Sequence, residues 1–314
     1  MIDRKLKPVH FFFLAVAFFC VCGNTENTKQ EKVSPSLQGP EFPISGSIVF
    51  HSNLDGDNEI YLLEKNSIFK LTDNTWNDEY PAWSPDGRSI AYTADPQGNY
   101  DIFVMKADGS QITRLTTAES NEKEPAWYPD GKSIAFSREI KKFIRKQLTL
   151  WRVDIPTKNT ERIIPGYNKG HAIPHLSPLG GTLTFTGKRT IGWDCALYDM
   201  RKKQVTFLDE GGKSCRARFS KDGKKLAYVS SKADGKGDIW IMNPDGTGKK
   251  RLTGRDEKYD YFPSWSPDGK FIVFNSSHQH DHNGDWALYI IDVQTQEVRL
   301  LFDSPGNDVF PDWR

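Results

Sequence analysis

Cysteine is scarce in this chain. Four occur in 314 residues, and two of them, Cys20 and Cys22, fall within the first 23. Cys195 and Cys215 alone remain for the body of the chain, which excludes a small domain stapled by a dense disulfide framework. A surplus of either charge is also missing: 42 basic residues face 41 acidic ones. That balance argues against a nucleic-acid partner held mainly by charge. Long helical periodicity is absent. So are the G-x-S-x-G elbow, the phosphate loop and the H-E-x-x-H pair. Some serine peptidases join a propeller to an α/β-hydrolase domain, but no stretch is left over here to form one.

Long apolar runs are lacking too. Arg4, Lys5 and Lys7 precede FFFLAVAFFCV, residues 11–21. A membrane-spanning helix needs roughly 18 or more such residues. A basic start followed by so short a run reads as a secretory signal over residues 1–23. The polar, Pro-containing stretch that follows, residues 24–45, reads as a flexible tether. Cys22 followed by Gly23 and Asn24 resembles a bacterial lipoprotein start, although Phe19 and Val21 are atypical before it. Two branches follow: a lipid anchor through Cys20 or Cys22, or ordinary cleavage after Gly23. Either makes this an exported protein, periplasmic or membrane-anchored.

What the chain does have is a phrase that returns. EYPAWSPDGRSIAYTA (79–94) is followed by EPAWYPDGKSIAFS and FPSWSPDGKFIVFNS, with weaker copies IPHLSPLGGTLTFT and RARFSKDGKKLAYVS. The chain ends on FPDWR. Aligned on the residue before the turn, the copies fall on Trp83, Trp127, Leu176, Phe219, Trp265 and Trp313, 43 to 49 residues apart. A period in the 40s built from short strands is the signature of a β-propeller. In Ser-Pro-Asp-Gly, Pro presets φ at the first corner and Gly accepts the positive φ that closes a hairpin. Each period holds four strand-like runs, as in YPAWS, SIAYTA, DIFVMKA and ITRLT. Six periods of four strands predict an all-β, six-bladed propeller over residues 46–314.

The two ends predict how the ring closes. The chain finishes just after a first strand and begins its folded part with GSIVFHS, which matches a second strand. The last blade must therefore draw three strands from the N-terminal run and its innermost strand from the C-terminal run. Closure of this kind removes the open sheet edges that invite aggregation.

PAWSPDGRSIAY, PSWSPDGKFIVF, DIFVMKADGSQITRLT and DIWIMNPDGTGKKRLT resemble the repeat of the TolB-type propeller, also called the WD40-like or PD40 repeat. The resemblance covers about residues 46–314. It implies a cell-envelope binding protein. The α/β domain that precedes the propeller in TolB has no counterpart in the roughly 20 residues of tether, so a stand-alone, monomeric propeller is expected.

The strands of a propeller blade alternate direction from axis to rim. The Asp-Gly turns therefore share one face, which reads as structural because its turns are nearly identical. The variable connections share the other face, and variable loops on a rigid scaffold are where function usually sits. Around that mouth, just upstream of or on the inner strands, stand Asp78, Glu79, Tyr80, Glu124, His171, Arg216, Tyr259, Asp260, Tyr261, Asp308 and Phe310. The residue before each anchor, Ala82, Ala126, His175, Arg218, Ser264 or Asp312, faces the axis. His175, Arg218 and Asp312 either line a ligand site or, for the Arg and Asp, form an ion pair that holds the channel together. The recurring Trp residues are read as core, not as a ligand stripe.

His278, His280 and His282 alternate along a polar loop and would converge on Zn²⁺ or Cu²⁺ if extended. The alternative is a solvated loop, and no other cofactor is expected. Asp55, Asp57 and Glu59 lack the 12-residue calcium-loop pattern and read as a turn and strand start. Cys195 and Cys215 both fall on the loop face and are candidates for a disulfide. Two classes of function stay open. One is a non-catalytic envelope protein that binds a protein or peptide on its loop face. The other is a metal-assisted propeller enzyme, such as a lyase acting on acidic sugars.

Overall fold

The computed structural model describes residues 32–33, 45–142, 145–255, 258–277 and 285–314. Residues 1–23, read as a secretory signal and including Cys20 and Cys22, and the three loop histidines lie outside them. Six antiparallel sheets follow one another along the chain. Their inner strands are Asp78–Trp83, Glu122–Trp127, His171–Leu176, Ser214–Phe219, Asp260–Trp265 and Asp308–Trp313. We number the blades one to six in that order.

Within each blade the pairing follows the hydrophobic pattern. In blade one, Ser89–Ala94 lies between the inner strand and Asp101–Lys106, pairing Trp83 with Ile90 and Ile90 with Met105. Its alternate residues fill the space toward each neighbouring blade. The core is therefore a set of inter-blade layers rather than one central mass. The layer between blades five and six packs Phe50, Tyr61, Leu63, Val273, Leu288, Phe302 and Trp313.

Blade six is closed as predicted. Ser47–Ser52 pairs with Asp308–Trp313 on its inner side and with Glu59–Glu64 on its outer side. Ser47 and Arg314 exchange backbone hydrogen bonds of 2.9 and 3.0 Å. The sheet has one strand more than expected. Lys32–Val33, inside the segment read as tether, pairs with Ile68 and Phe69 at the rim.

Two anchor tryptophans tie their blade to the one before it, and a third ties the two ends of blade six together. Trp127 Nε1 donates to Ala82 O at 3.0 Å and Trp265 Nε1 to Arg218 O at 3.2 Å. Trp313 Nε1 donates to Ser45 O at 2.9 Å. Each of these three indoles thus buries apolar surface and still satisfies its one donor, whereas the buried Trp83 Nε1 has no acceptor among the described residues.

Trp313 is 1% exposed and Trp76 39%. Trp313→Ala should cost about 3–5 kcal/mol, whereas Trp76→Ala should stay within about 0.5 kcal/mol. Urea unfolding of the two variants measures both, and equal losses would mean that closure does not depend on the anchor.

Candidate functional site

Every inner strand carries a bulge. In blade one Asp78 and Glu79 pair with Ala94 and Thr93, and the register then jumps to Ala82 opposite Ala91. The same jump occurs in all six inner strands. The bulged residue has positive φ in each: Tyr80, Glu124, Ile173, Arg216, Phe262 and Phe310 lie between 54° and 62°. None is Gly, and a left-handed conformation costs such residues of order 1–3 kcal/mol. In four of the blades the freed backbone N–H finds a side-chain acceptor on the preceding blade. Tyr80 N donates to His51 Nδ1 at 3.2 Å, Ile173 N to Ser137 Oγ at 2.9 Å and Arg216 N to Thr186 Oγ1 at 3.0 Å.

The bulges bring their side chains together at the loop-face mouth of the channel. Phe310 meets Phe262 and Tyr80 with ring centroids 3.6 and 4.2 Å away, and stacks on His51 at 4.9 Å. The Arg216 guanidinium lies 4.2 Å over Phe262 and 5.3 Å over Tyr261. Glu124 accepts from Ser137 Oγ at 2.6 Å and from Ile173 N at 3.0 Å. Burial raises the Glu124 pKa, opposed by the Ser137 hydroxyl and the Arg216 charge. Beside the aromatic cluster is a cavity of about 530 Å³ whose walls include Arg216, Tyr261, Phe262, Trp286 and Phe310. The rings and Arg216 are only half-buried.

Four residues expected at this mouth, Tyr80, Glu124, Arg216 and Phe310, are bulge residues and do converge there. Tyr261 stands next to them, edge-on to Trp286 at 5.7 Å. Glu79 is half-buried and held by Lys123 Nζ at 3.2 Å and Asn58 Nδ2 at 3.0 Å. Tyr259 is also half-buried, its backbone donating to Ser277 Oγ at 3.0 Å.

Asp78, His171, Asp260 and Asp308 require correction. Each opens an inner strand, with its side chain buried and engaged by its own surroundings. Asn74 Nδ2 donates to Asp78 at 2.7 Å, and Arg255 Nη2 to Asp260 at 2.7 Å. Ser304 donates twice to Asp308, at 2.8 and 2.9 Å. His171 Nδ1 lies 2.7 Å from Lys169 O, and its ring meets the edge of Tyr167. These groups build the mouth without facing a partner.

His175, Arg218 and Asp312 lie further along the inner strands and line the opposite mouth, where the Asp-Gly turns stand. There a cavity of about 510 Å³ opens where a merely structural face was expected. The ion pair is present: Arg218 Nη1 reaches Asp312 Oδ1 at 3.2 Å. Asp312 also accepts from Ser264 Oγ at 3.1 Å and from Trp83 N at 2.8 Å. His175 Nδ1 accepts from Phe219 N at 3.3 Å. Burial, and then the Arg218 charge, hold its pKa well below the usual histidine value.

The two body cysteines are unbonded, which corrects the disulfide reading. Cys195 is fully buried, and burial raises its thiol pKa. The Cys215 sulfur is taken up by Arg216 Nη1 at 2.9 Å. Among the described residues no three His, Cys, Asp or Glu side chains are grouped to hold a metal. Asp101 and Asp238, like Glu59, start third strands and pair with Arg114, Arg251 and Lys70 respectively.

Sequence reasoning missed Phe262 and Ile173 as members of the ring, and His51 as the acceptor beneath it. Phe262 and Ile173 immediately precede Pro263 and Pro174, as Tyr80 precedes Pro81. Alignment on that Pro would have found both.

A family model described as the TolB beta propeller domain, PD40, matches residues 24–191, more than half of the chain. This chain belongs to the TolB beta-propeller family. An uncharacterized protein of Agrobacterium fabrum is 31% identical over 166 residues, 50% of this chain and 53% of that protein. The Tol-Pal system protein TolB of Nitratidesulfovibrio vulgaris is 36% identical over 85 residues, 27% of this chain and 18% of that one. The matched region thus spans about half of the first relative's length and less than a fifth of the second's. The crystal structure of TolB from Acinetobacter baumannii shares the fold, with a TM-score of 0.72 at 21% identity. That likeness covers 86% of this chain and 67% of that one.

The buried histidines give the fold a pH dependence. Burial, and then the Lys123 charge, push His51 down to about 3, while burial takes His171 to about 4. Both values lie below the ordinary 6.5, so the unfolded chain takes up protons first. Their contribution is complete above pH 6.5 and is lost as pH falls toward 4 and 3. Asp308, raised to about 7 by burial, acts in the opposite sense, losing its contribution as pH rises through 7. Variant and wild type must therefore be compared at each pH. His51→Asn keeps an acceptor, as Asn275 does for Phe310 N at 3.4 Å, and removes the titration. The urea midpoint of the variant should fall less steeply than wild type between pH 6.5 and 4. Parallel profiles would show that His51 does not carry the effect.

Proposed function

We propose that this chain is a non-catalytic binding protein of the bacterial cell envelope that engages a protein or peptide partner on its loop face. The observation that carries this reading is the half-exposed cluster of Tyr80, Tyr261, Phe262, Phe310 and Arg216 around the channel mouth. Tyr, other aromatics and Arg dominate binding hot spots because they offer a large contact area with a directed polar end. Here the backbone bulges fix their positions, so a partner would lose little entropy in ordering them. Membership of the TolB family and a relative named for the Tol-Pal system support an envelope role. The basic start and short apolar run at residues 4–21 support export.

Partner binding is tested with a protein captured by the mature chain from its own envelope extract and then purified. Phe310→Ala and Arg216→Ala should each weaken that complex by about 2 kcal/mol, roughly 30-fold. Lys106→Ala and Lys132→Ala, exposed on the Asp-Gly face, should leave affinity within about twofold. Equal weakening by both pairs would place the working surface elsewhere. Export has its own test. Mass spectrometry of protein from the native host should find a new N-terminus between Cys20 and Asn24, with a diacylglyceryl mass on Cys20 or Cys22 in the lipoprotein branch. An unmodified Met1 on mature protein would refute export.

A further inference from the structure

The cavity on the Asp-Gly face is ringed by one turn position from each of blades one to five. Pro85, Pro129, Pro178 and Pro267 occupy it in four blades, and Lys221 in blade four; Arg314 follows the inner strand of blade six at the same mouth. The backbone does not require the exception. The turn after Phe219 closes with Gly223 N donating to Ser220 O at 2.8 Å, as Gly87 does to Ser84 O at 2.9 Å and Gly269 to Ser266 O at 3.1 Å. One turn geometry thus holds Pro elsewhere and a Lys here.

The side-chain charges at this mouth do not cancel. Arg218, Lys221 and Arg314 line it, against Asp86 and Asp312. Asp312 is taken up by Arg218, Ser264 and the Trp83 backbone. Asp86 is engaged in its own turn by Ser84 Oγ at 2.7 Å and Arg88 N at 3.0 Å. Among the described residues Lys221 has no carboxylate partner and no hydrogen bond. Arg314 has no carboxylate partner either, and its guanidinium rests 4.5 Å over the Trp83 ring. It also occupies the space beside Gly87, where a Cβ would come within 1.6 Å of Nη1. Burial lowers the Lys221 pKa; the Asp312 charge opposes that shift and the Arg218 charge adds to it. With Nδ1 of His175 accepting from the backbone, the proton of that neutral ring sits on Nε2, a further donor on a residue of the cavity wall. Trp83, Trp127 and the prolines supply most of the remaining lining, to which Ser84 and Ser220, engaged in their own turns, also belong.

We propose that this mouth is a second binding site, opposite the loop face, for a ligand that presents a carboxylate to Lys221 and Arg314 and an apolar body to Trp83, Trp127 and the proline ring. Its volume of about 510 Å³ suits a small molecule or a chain end and is too small for a folded domain. A small organic acid and the free C-terminus of a peptide share this chemistry.

Calorimetric titration of the mature protein with three probes tests the site. They are 3-phenylpropanoate, acetyl-Ala-Ala-Phe as the free acid, and the same peptide as its amide. At least one acid should bind, and the amide should bind at least about tenfold more weakly than its acid. Binding of 3-phenylpropanoate alone assigns the site to small organic acids. Binding of the peptide acid assigns it to chain ends. Lys221→Pro restores the residue of the other four turns and removes no backbone hydrogen bond, so it should fold as wild type. It should weaken the acid about tenfold or more, while Lys224→Ala, one charge removed from the same turn, should not. The proposal is overturned if neither acid binds, if acid and amide bind alike, or if the folded Lys221→Pro protein binds as wild type does.

Discussion

The bulge in each inner strand is the feature on which the two ends of the molecule depend. A regular strand would alternate its side chains without change from one mouth to the other. One extra residue breaks that alternation, so the part before the bulge and the part after it address different neighbours. Upstream, Asp78, Glu122, Asp260 and Asp308 turn into buried polar networks. At the bulge, Tyr80, Phe262, Phe310 and Arg216 turn toward the axis. Downstream, the anchors enter the inter-blade layers and Arg218 and Asp312 face the channel. Four of the six strained residues, Tyr80, Ile173, Arg216 and Phe310, are held through their backbone N–H by the preceding blade, and the strain is located where binding groups must be rigid.

The two mouths consequently differ in chemistry although the same six strands form them. The loop face is aromatic, with one guanidinium laid across the rings. The Asp-Gly face is a ring of prolines broken at one turn by an ammonium. Between them stand an internal ion pair and backbone donors that find side-chain acceptors on the preceding blade. A partner at one mouth would meet a surface shaped by stacking, and a ligand at the other a site shaped by unpaired positive charge.

The fold was legible in the sequence because it is written six times. The period, the Asp-Gly corners and the split last blade each follow from local turn chemistry and hydrophobic alternation. Four of the six positions in the loop-face ring were legible for the same reason, since Tyr80, Glu124, Arg216 and Phe310 stand upstream of recognisable anchors. The burial of Asp78 and Asp308 was not. Acidic residues near a loop read as solvated, and only the tertiary structure supplies the Asn74 and Ser304 donors that allow them inside. The bulge was hidden because its residues share a backbone conformation and no side-chain chemistry: Tyr, Glu, Ile, Arg and Phe all occupy it. The cavity on the Asp-Gly face was hidden by repetition itself. Near-identical turns looked inert, and the one departure, Lys221, gained meaning only when the turns were seen to surround a common space.

Closure by two distant segments also governs how the ring must form. Trp313 reaches Ser45 across 268 residues of chain, and the inner strand it ends pairs with Ser47–Ser52. Blades one to five each need only local pairing, but the sixth requires a loop nearly as long as the propeller to shut. Loop-closure entropy grows slowly with length, yet contacts of such high sequence separation slow folding. Until they form, the edge of Ser47–Ser52 lies open to any strand that matches it. The molecule therefore has a period in its own history, between the completion of five blades and the arrival of the last strand, when it is most exposed to pairing with another copy of itself.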